Sequence, residues 1–242
     1  MPSAVLSARH DAGGGLLLVS IRVDHAVARA YTTPGQYIQV KAPSGDGYFV
    51  LASAVGAQPW ELLVKNAAGA ADALATLPVG SALSIEGPLG AGFPVARMRD
   101  RHVVVAVVAS ALGVARAVLA RRIAEGAAST THVFIGLRAA TDLPIPDEVR
   151  AWTERGVTVV LCLSRSELHH HEELLPKAKR VAGYVQKALA HALQTAEVPH
   201  GALVVAAGPE GMLADMRALG GGAGSGEAKP PAGPSIEVLT NV

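Results

Sequence analysis

The run Val103–Val108 (VVVAVV) constrains the fold most: six consecutive apolar residues, five of them β-branched. A strand with one face in water alternates apolar and polar residues. An unbroken run needs cover on both faces, as in a parallel sheet flanked by helices. The pattern repeats downstream. His132–Leu137, Val157–Ser164, Leu203–Ala207 and Ile236–Thr240 read as strands, and Gly113–Glu125, Pro146–Arg155, Val185–Ala196 and Met212–Leu219 read as helices. Five apolar strands alternating with helices predict an α/β, five-stranded parallel, doubly wound domain over residues 99–242. Such sheets take ligands beyond the carboxyl ends of their strands. The expected crevice is therefore ringed by Ala109–Gly113, Gly136–Arg138, Ser164–Arg165 and Gly208–Pro209.

Residues 1–98 have another rhythm. Leu16–Val23, Gln36–Lys41, Tyr48–Ser53, Glu61–Lys65 and Ala82–Gly87 are β-rich runs of ordinary strand length. Turn residues separate them: GGG at 13–15, PG at 34–35, PSGDG at 43–47 and PVG at 78–80. A single helical segment, Ala70–Leu77, interrupts the series. Short strands at regular spacing predict a small antiparallel β-barrel.

A formal net charge of +1 offers no basic patch for nucleic acid or membrane surfaces. Cys162 is the only cysteine, so there is no intrachain disulfide and no four-Cys iron–sulfur cluster within this chain. Val103–Val118, the longest apolar run, is broken by Ser110, Gly113 and Arg116 and falls short of the roughly 20 residues a membrane span needs. The first dozen residues carry no signal- or transit-peptide pattern. GxSxG, HExxH and P-loop signals are absent. The histidines at 169–171 are adjacent and cannot all converge on one ion, so no metal site is expected. Glu167–Arg180 reads as a charged loop and Gly220–Pro234 as a low-complexity linker.

The order of several motifs carries a resemblance. PGQYIQV at 34–40, YFVLAS at 48–53, LLVKNAAGAADAL at 62–74, GPLGAGF at 87–93 and AGPEGM at 207–212 together resemble the ferredoxin–NADP reductase superfamily over nearly the whole chain. Within it the sequence is most similar to the plastid ferredoxin–NADP reductase-like proteins of plants and algae, which share the LLVK…AG pattern and a terminal strand like IEVLTNV. The resemblance implies a flavin-binding-type barrel followed by a nucleotide-binding domain. It also implies FAD, NADP with NAD as the alternative, and residence in the plastid stroma, with the cytoplasm as the alternative. Its implied activity is hydride transfer between NADPH and flavin, with electrons passed on to a small acceptor or an electron-transfer protein.

The same resemblance assigns the site. Phe49, Val50, Leu51 and Ser53 would face the flavin, with Lys65, Gly69 and Ala71 toward its pyrophosphate. Ser110 and Gly113 stand in the nicotinamide-nucleotide loop, and Gly136 and Arg138 end the second strand. Ser164 with Arg165 suits a 2′-phosphate, and Gly208, Pro209 and Met212 lie near the nicotinamide. No residue is assigned a catalytic role. The chain departs from the family pattern at four points. Gly47 replaces the pyrophosphate-binding Arg, Val50 a Ser, Ala111 a loop Gly, and Ala207 the Cys beside the nicotinamide. These departures imply an alternative: a catalytically degenerate protein acting as a subunit or nucleotide-binding module of a larger assembly.

Overall fold

In the computed structural model, residues 3–165, 175–220 and 236–240 are described. The chain divides into two compact units. Met1–Pro94, Ser110–Glu125 and Asp142–Pro146 form the first; Val95–Ala109, Gly126–Thr141 and Asp147–Val242 form the second.

In unit 1, β1 (Ser3–Gly13), β2 (Leu16–Val23), β3 (Tyr37–Lys41), β4 (Gly47–Val50), β5 (Trp60–Lys65) and β6 (Ala82–Leu89) make one antiparallel sheet in the order β4-β3-β6-β1-β2-β5. β1 is absent from the strands read in the sequence, although it is central. Its register shifts between Leu6 and Ala8 and again between Asp11 and Gly13, and those bulges break the two-residue alternation that marks a strand. The short helices α1 (His25–Arg29) and α2 (Ala70–Thr76) lie in the connections. Arg9 donates from Nη1 to the carbonyls of Leu74 and Leu77, which fastens the open carboxyl end of α2 to β1.

The sheet closes where the chain leaves β4. Leu51 N–H donates to Gln36 O at 2.9 Å, which continues the β3–β4 ladder, and Ala52 N–H donates to Glu61 O at 2.7 Å, which joins that edge to β5. Inside sit Leu6, Val19, Ile21, Ile38, Val40, Leu62, Val64 and Ile85, all shielded from solvent, around Tyr31 and Trp60. The two large rings meet edge to face at 6.1 Å. The Tyr31 hydroxyl donates to Ser53 O at 2.9 Å, and burial pushes its pKa well above the ordinary phenol value. Gly14 shows why the β1–β2 turn is glycine. Its φ is +60°, and a Cβ there would stand 2.2 Å from Asp142 O. Helix α3 (Leu112–Ala124) completes the unit.

Unit 2 is a fully parallel six-stranded sheet, in the order β10-β9-β8-β7-β11-β12. Its strands are β7 (Val103–Val108), β8 (Thr131–Leu137), β9 (Thr158–Leu163), β10 (Lys179–Ala182), β11 (Leu203–Ala207) and β12 (Glu237–Thr240). Five follow the expected apolar runs. The sixth, β10, lies at the end of the stretch read as a loop. It is an edge strand with one neighbour and no fully buried residue, so it carries no apolar run to betray it. The helices are α4 (Pro146–Glu154), α5 (Val185–Gln194) and α6 (Glu210–Leu219). Leu189 and Leu193 of α5 and Met212, Leu213 and Met216 of α6 pack on Val104, Ala106, Phe134, Val160 and Cys162 of the sheet. Burial pushes the Cys162 thiol up to about 12, so it stays protonated and serves as core.

β12 is pinned by arginines. Glu237 pairs with Arg97 and, at 2.8 Å, with Arg101, while Arg217 donates to the Thr240 hydroxyl at 3.2 Å. The histidines at 169–171 and residues 221–235 of the linker reading lie outside the described residues.

At the amino-terminal ends of β7 and β8, the His132 ring lies 6.5 Å from that of His102. Burial, then the nearby His102 and Lys179 charges, lower the His132 pKa, and Glu197 opposes them only in part. The unfolded chain therefore takes up this proton more readily than the folded one. Stability from this source is complete above about pH 6.5 and declines as the pH falls below that value. Thermal unfolding across the mildly acid range should show a falling midpoint, with a shallower slope in His132→Gln. An unchanged slope in that variant would place the pH dependence elsewhere.

Candidate functional site

Strand parity decides what β4 offers. Ile38 faces Phe49 and Val40 faces Gly47 across the β3–β4 ladder, and both Ile38 and Val40 belong to the buried core. Gly47 and Phe49 therefore turn toward the barrel interior, whereas Tyr48 and Val50 turn outward. Tyr48 is 67% exposed and meets Tyr37 edge-on at 5.9 Å. The Phe49 ring folds back over Gly47: a Cβ on Gly47 would lie 2.9 Å from Phe49 Cε2 and 3.1 Å from Ala70 Cβ.

The next residues serve the closure. Leu51 is fully buried. Ser53 is 4% exposed, its hydroxyl accepts the Glu61 N–H at 3.3 Å, and its carbonyl accepts Tyr31. Lys65 is exposed at the end of β5. Gly69 lies close to Gly45, with φ at +74°, and precedes α2, which begins at Ala70 and includes Ala71. Of the residues singled out in this unit, Lys65 alone carries a positive charge.

Helix α3 meets the same seam. A Cβ on Gly113 would lie 3.1 Å from Ala52 Cβ and 3.9 Å from Leu63 Cβ, so close packing on the barrel favours glycine here. Arg116 bonds the Glu61 carboxylate at 2.9 Å with its side chain only 11% exposed. It is neither an exposed helical arginine nor a guanidinium open to phosphate. Ser110 is exposed in the 3-10 turn Ala109–Ala111.

In unit 2 three of the expected residues lie at neighbouring strand ends. Ser164 N–H donates to Leu137 O at 3.0 Å and Arg165 N–H to Arg138 O at 2.9 Å, which extends the β8–β9 ladder past the strands' ends. Arg138, Ser164 and Arg165 are all exposed there. Gly183 N–H donates to Leu163 O at 2.8 Å, and Tyr184 follows just beyond the end of β10. Tyr184 is 58% exposed and directly precedes α5. It was not singled out in the sequence, because β10, which delivers it, was not read as a strand.

The glycines mark close approach. A Cβ on Gly136 would come within 2.6 Å of Val108 and 2.7 Å of Val185, and one on Gly208 within 2.8 Å of Met212 and 2.9 Å of Val108. Chain order reverses at β7 and β11, so Gly208 sits at the switch point, where doubly wound sheets admit ligands. Pro209 is the residue before α6, and Met212 is 7% exposed, packed in the core. Among the described residues, no three His, Cys, Asp or Glu side chains are placed to hold a metal ion, and no helix is long and apolar enough to cross a membrane.

No protein-family model matches the sequence, and no curated protein matches it. Solved structures do match. The Amycolatopsis cytochrome P450 reductase GcoB is similar with a TM-score of 0.74 at 19% identity, covering 99% of this chain and 69% of that one. A ferredoxin NADP+ reductase from Neisseria gonorrhoeae, solved with bound FAD and NADP, gives 0.71 at 14% identity over 99% of this chain and 98% of its own. The FAD/NAD-binding domain of a nitric oxide dioxygenase from Vibrio cholerae gives 0.70 at 15%, over 99% and 98%. At these identities the likeness establishes the fold: a flavin-binding-type barrel followed by a nucleotide-binding-type α/β sheet.

The packing at Gly113 is open to a direct check. Gly113→Val should lower stability by about 1–3 kcal/mol through overpacking against Ala52. Gly211→Ala, in a helix with nothing within 4 Å, should raise it by about 0.5–1 kcal/mol. Thermal melts of the two variants should shift in opposite directions.

Proposed function

We propose that this chain is an NADPH-dependent oxidoreductase of the ferredoxin–NADP reductase type, which moves a hydride from NADPH to a flavin. The observation that carries this reading is the cluster at the carboxyl ends of β8, β9 and β10. Arg138, Ser164 and Arg165 are all exposed where backbone hydrogen bonds join the chain just beyond β8 and β9, and the exposed Tyr184 follows β10. Guanidinium plus hydroxyl suits a phosphate monoester, and an exposed ring suits stacking on a purine. That combination favours NADP over NAD. Gly208 follows β11 at the switch point of the sheet, the place where doubly wound sheets admit ligands.

A resident FAD fits unit 1 poorly. The Phe49 ring fills the place where a side chain on residue 47 would stand, the Ser53 hydroxyl is engaged with Glu61, and Arg116 is neutralised by Glu61. No step is therefore assigned to a flavin held permanently in the barrel. What the chain's own residues do is bind and orient the nicotinamide nucleotide: Arg165 and Ser164 on the phosphate, Tyr184 on the base. Flavin, when bound, accepts the electron pair.

The division of residues 1–98 and 99–242 into a flavin half and a nucleotide half belongs to this reading. Placement in the plastid stroma rests on the sequence resemblance alone, with the cytoplasm as the alternative. A second reading, a nucleotide-binding module without a redox step of its own, draws support from the filled Gly47 position and from Ala111 and Ala207 in place of the family's Gly and Cys.

Nucleotide titrations test the proposal. Arg165→Ala should weaken NADPH binding about 10-fold or more while changing NADH binding little, since a charge-assisted phosphate contact contributes about 1.5–3 kcal/mol. Equal loss for both nucleotides would remove the phosphate role, and absence of NADPH binding in the unaltered protein would sink the reading.

A further inference from the structure

The amino-terminal ends of β7 and β8 carry a side-chain cluster that the oxidoreductase reading leaves unused. Val103 pairs with Thr131 and Val104 with His132, and Leu203 N–H donates to His102 O at 2.9 Å, which carries the ladder one residue ahead of β7. By strand parity His102 and His132 lie on one face of the sheet, diagonal to each other on adjacent strands. Their ring centroids are 6.5 Å apart, with an interplanar angle of 41°. Both residues are half-buried, so the cluster is open to solvent on one side. Both Nδ1 atoms, however, are buried, and among the described residues neither has a hydrogen-bond partner. Buried polar atoms are nearly always satisfied, so two orphaned nitrogens on neighbouring rings point to a ligand.

The surrounding charges are balanced. Lys179 is tied to Glu197 at 2.7 Å, and the Glu197 carboxylate also senses His191 and His132. Burial, with His102 and Lys179, favours the neutral form of His132, which is the form that ligates.

We propose that His102 and His132 form a two-imidazole site for one transition-metal cation of the Zn2+ or Cu2+ class, its remaining positions filled by water. Imidazole nitrogen suits these ions, whereas Mg2+ and Ca2+ take oxygen ligands. Two metal–nitrogen bonds of about 2.0–2.1 Å, added to the radii of the two rings, span the observed centroid separation. A permanent structural zinc site takes four protein ligands, so two make this an exchangeable one. The ion joins the start of β7 to that of β8 and stabilises the folded unit by mass action. This inference is independent of the oxidoreductase reading.

The test is a calorimetric Zn2+ titration of the full chain, with His169, His170 and His171 replaced by alanine so that this run does not compete. One ion per chain should bind, Cu2+ should bind more tightly than Zn2+, and Mg2+ should not bind. His102→Ala and His132→Ala should each weaken Zn2+ binding by at least about 10-fold, since even a residue that only supports a ligand is typically worth that much. His25→Ala, on α1, should leave it unchanged. Should a variant fail to fold, the ring resonances of His102 and His132 in the full chain give a second readout, and both should move together by one equivalent of Zn2+. No Zn2+ binding, binding that survives either substitution, or equal binding of Mg2+ would overturn the proposal. Ring resonances that stay in place at one equivalent would overturn it too.

Discussion

The hydrogen bond from Ala52 N–H to Glu61 O, at 2.7 Å, organises unit 1. It turns an open antiparallel sheet into a closed one by joining the chain beyond β4 to β5. Its neighbours are recruited to the same task. Ser53 accepts the Glu61 N–H and the Tyr31 hydroxyl, the Glu61 side chain takes Arg116, and Gly113 brings α3 against Ala52. A net hydrogen bond contributes only about 0.5–1.5 kcal/mol, but a broken one here would leave buried partners unsatisfied, which costs about 1–3 kcal/mol each. The seam therefore constrains chemistry: groups committed to closing the barrel are withdrawn from ligand binding.

The two units consequently differ in what they offer. In unit 1 Ser53, Glu61 and Arg116 are engaged in closing the barrel, and Tyr48 is exposed. Unit 2 leaves Arg138, Ser164, Arg165 and Tyr184 exposed just beyond the carboxyl ends of β8, β9 and β10. Exposed guanidinium and hydroxyl groups on one unit and an exposed tyrosine pair on the other set apart what the two units offer to solvent.

Much of the fold was legible because continuous apolar runs admit few structures. Val103–Val108 and Leu203–Ala207 were found at their observed limits, and Leu16–Val23 likewise in the barrel. Bulged β1 and the polar edge strand β10 were missed, since neither shows a clean period. The site was legible in part. Arg138, Ser164 and Arg165 come together as their places at strand ends imply. Phe49 shares the parity of Ile38 across the ladder, and Leu51 and Ser53 beyond it are buried, which a residue-by-residue motif match does not reveal. The Glu61–Arg116 pair joins residues far apart in sequence, and only the fold brings the carboxylate to the guanidinium.

A visible absorption spectrum of the protein, purified and desalted without added flavin, tests the central claim most directly. A barrel that holds no resident flavin predicts no flavin bands in a protein that still binds NADPH. Flavin bands at one equivalent per chain, surviving desalting, would mean that the barrel holds a resident cofactor despite Gly47 and Phe49, and would contradict it.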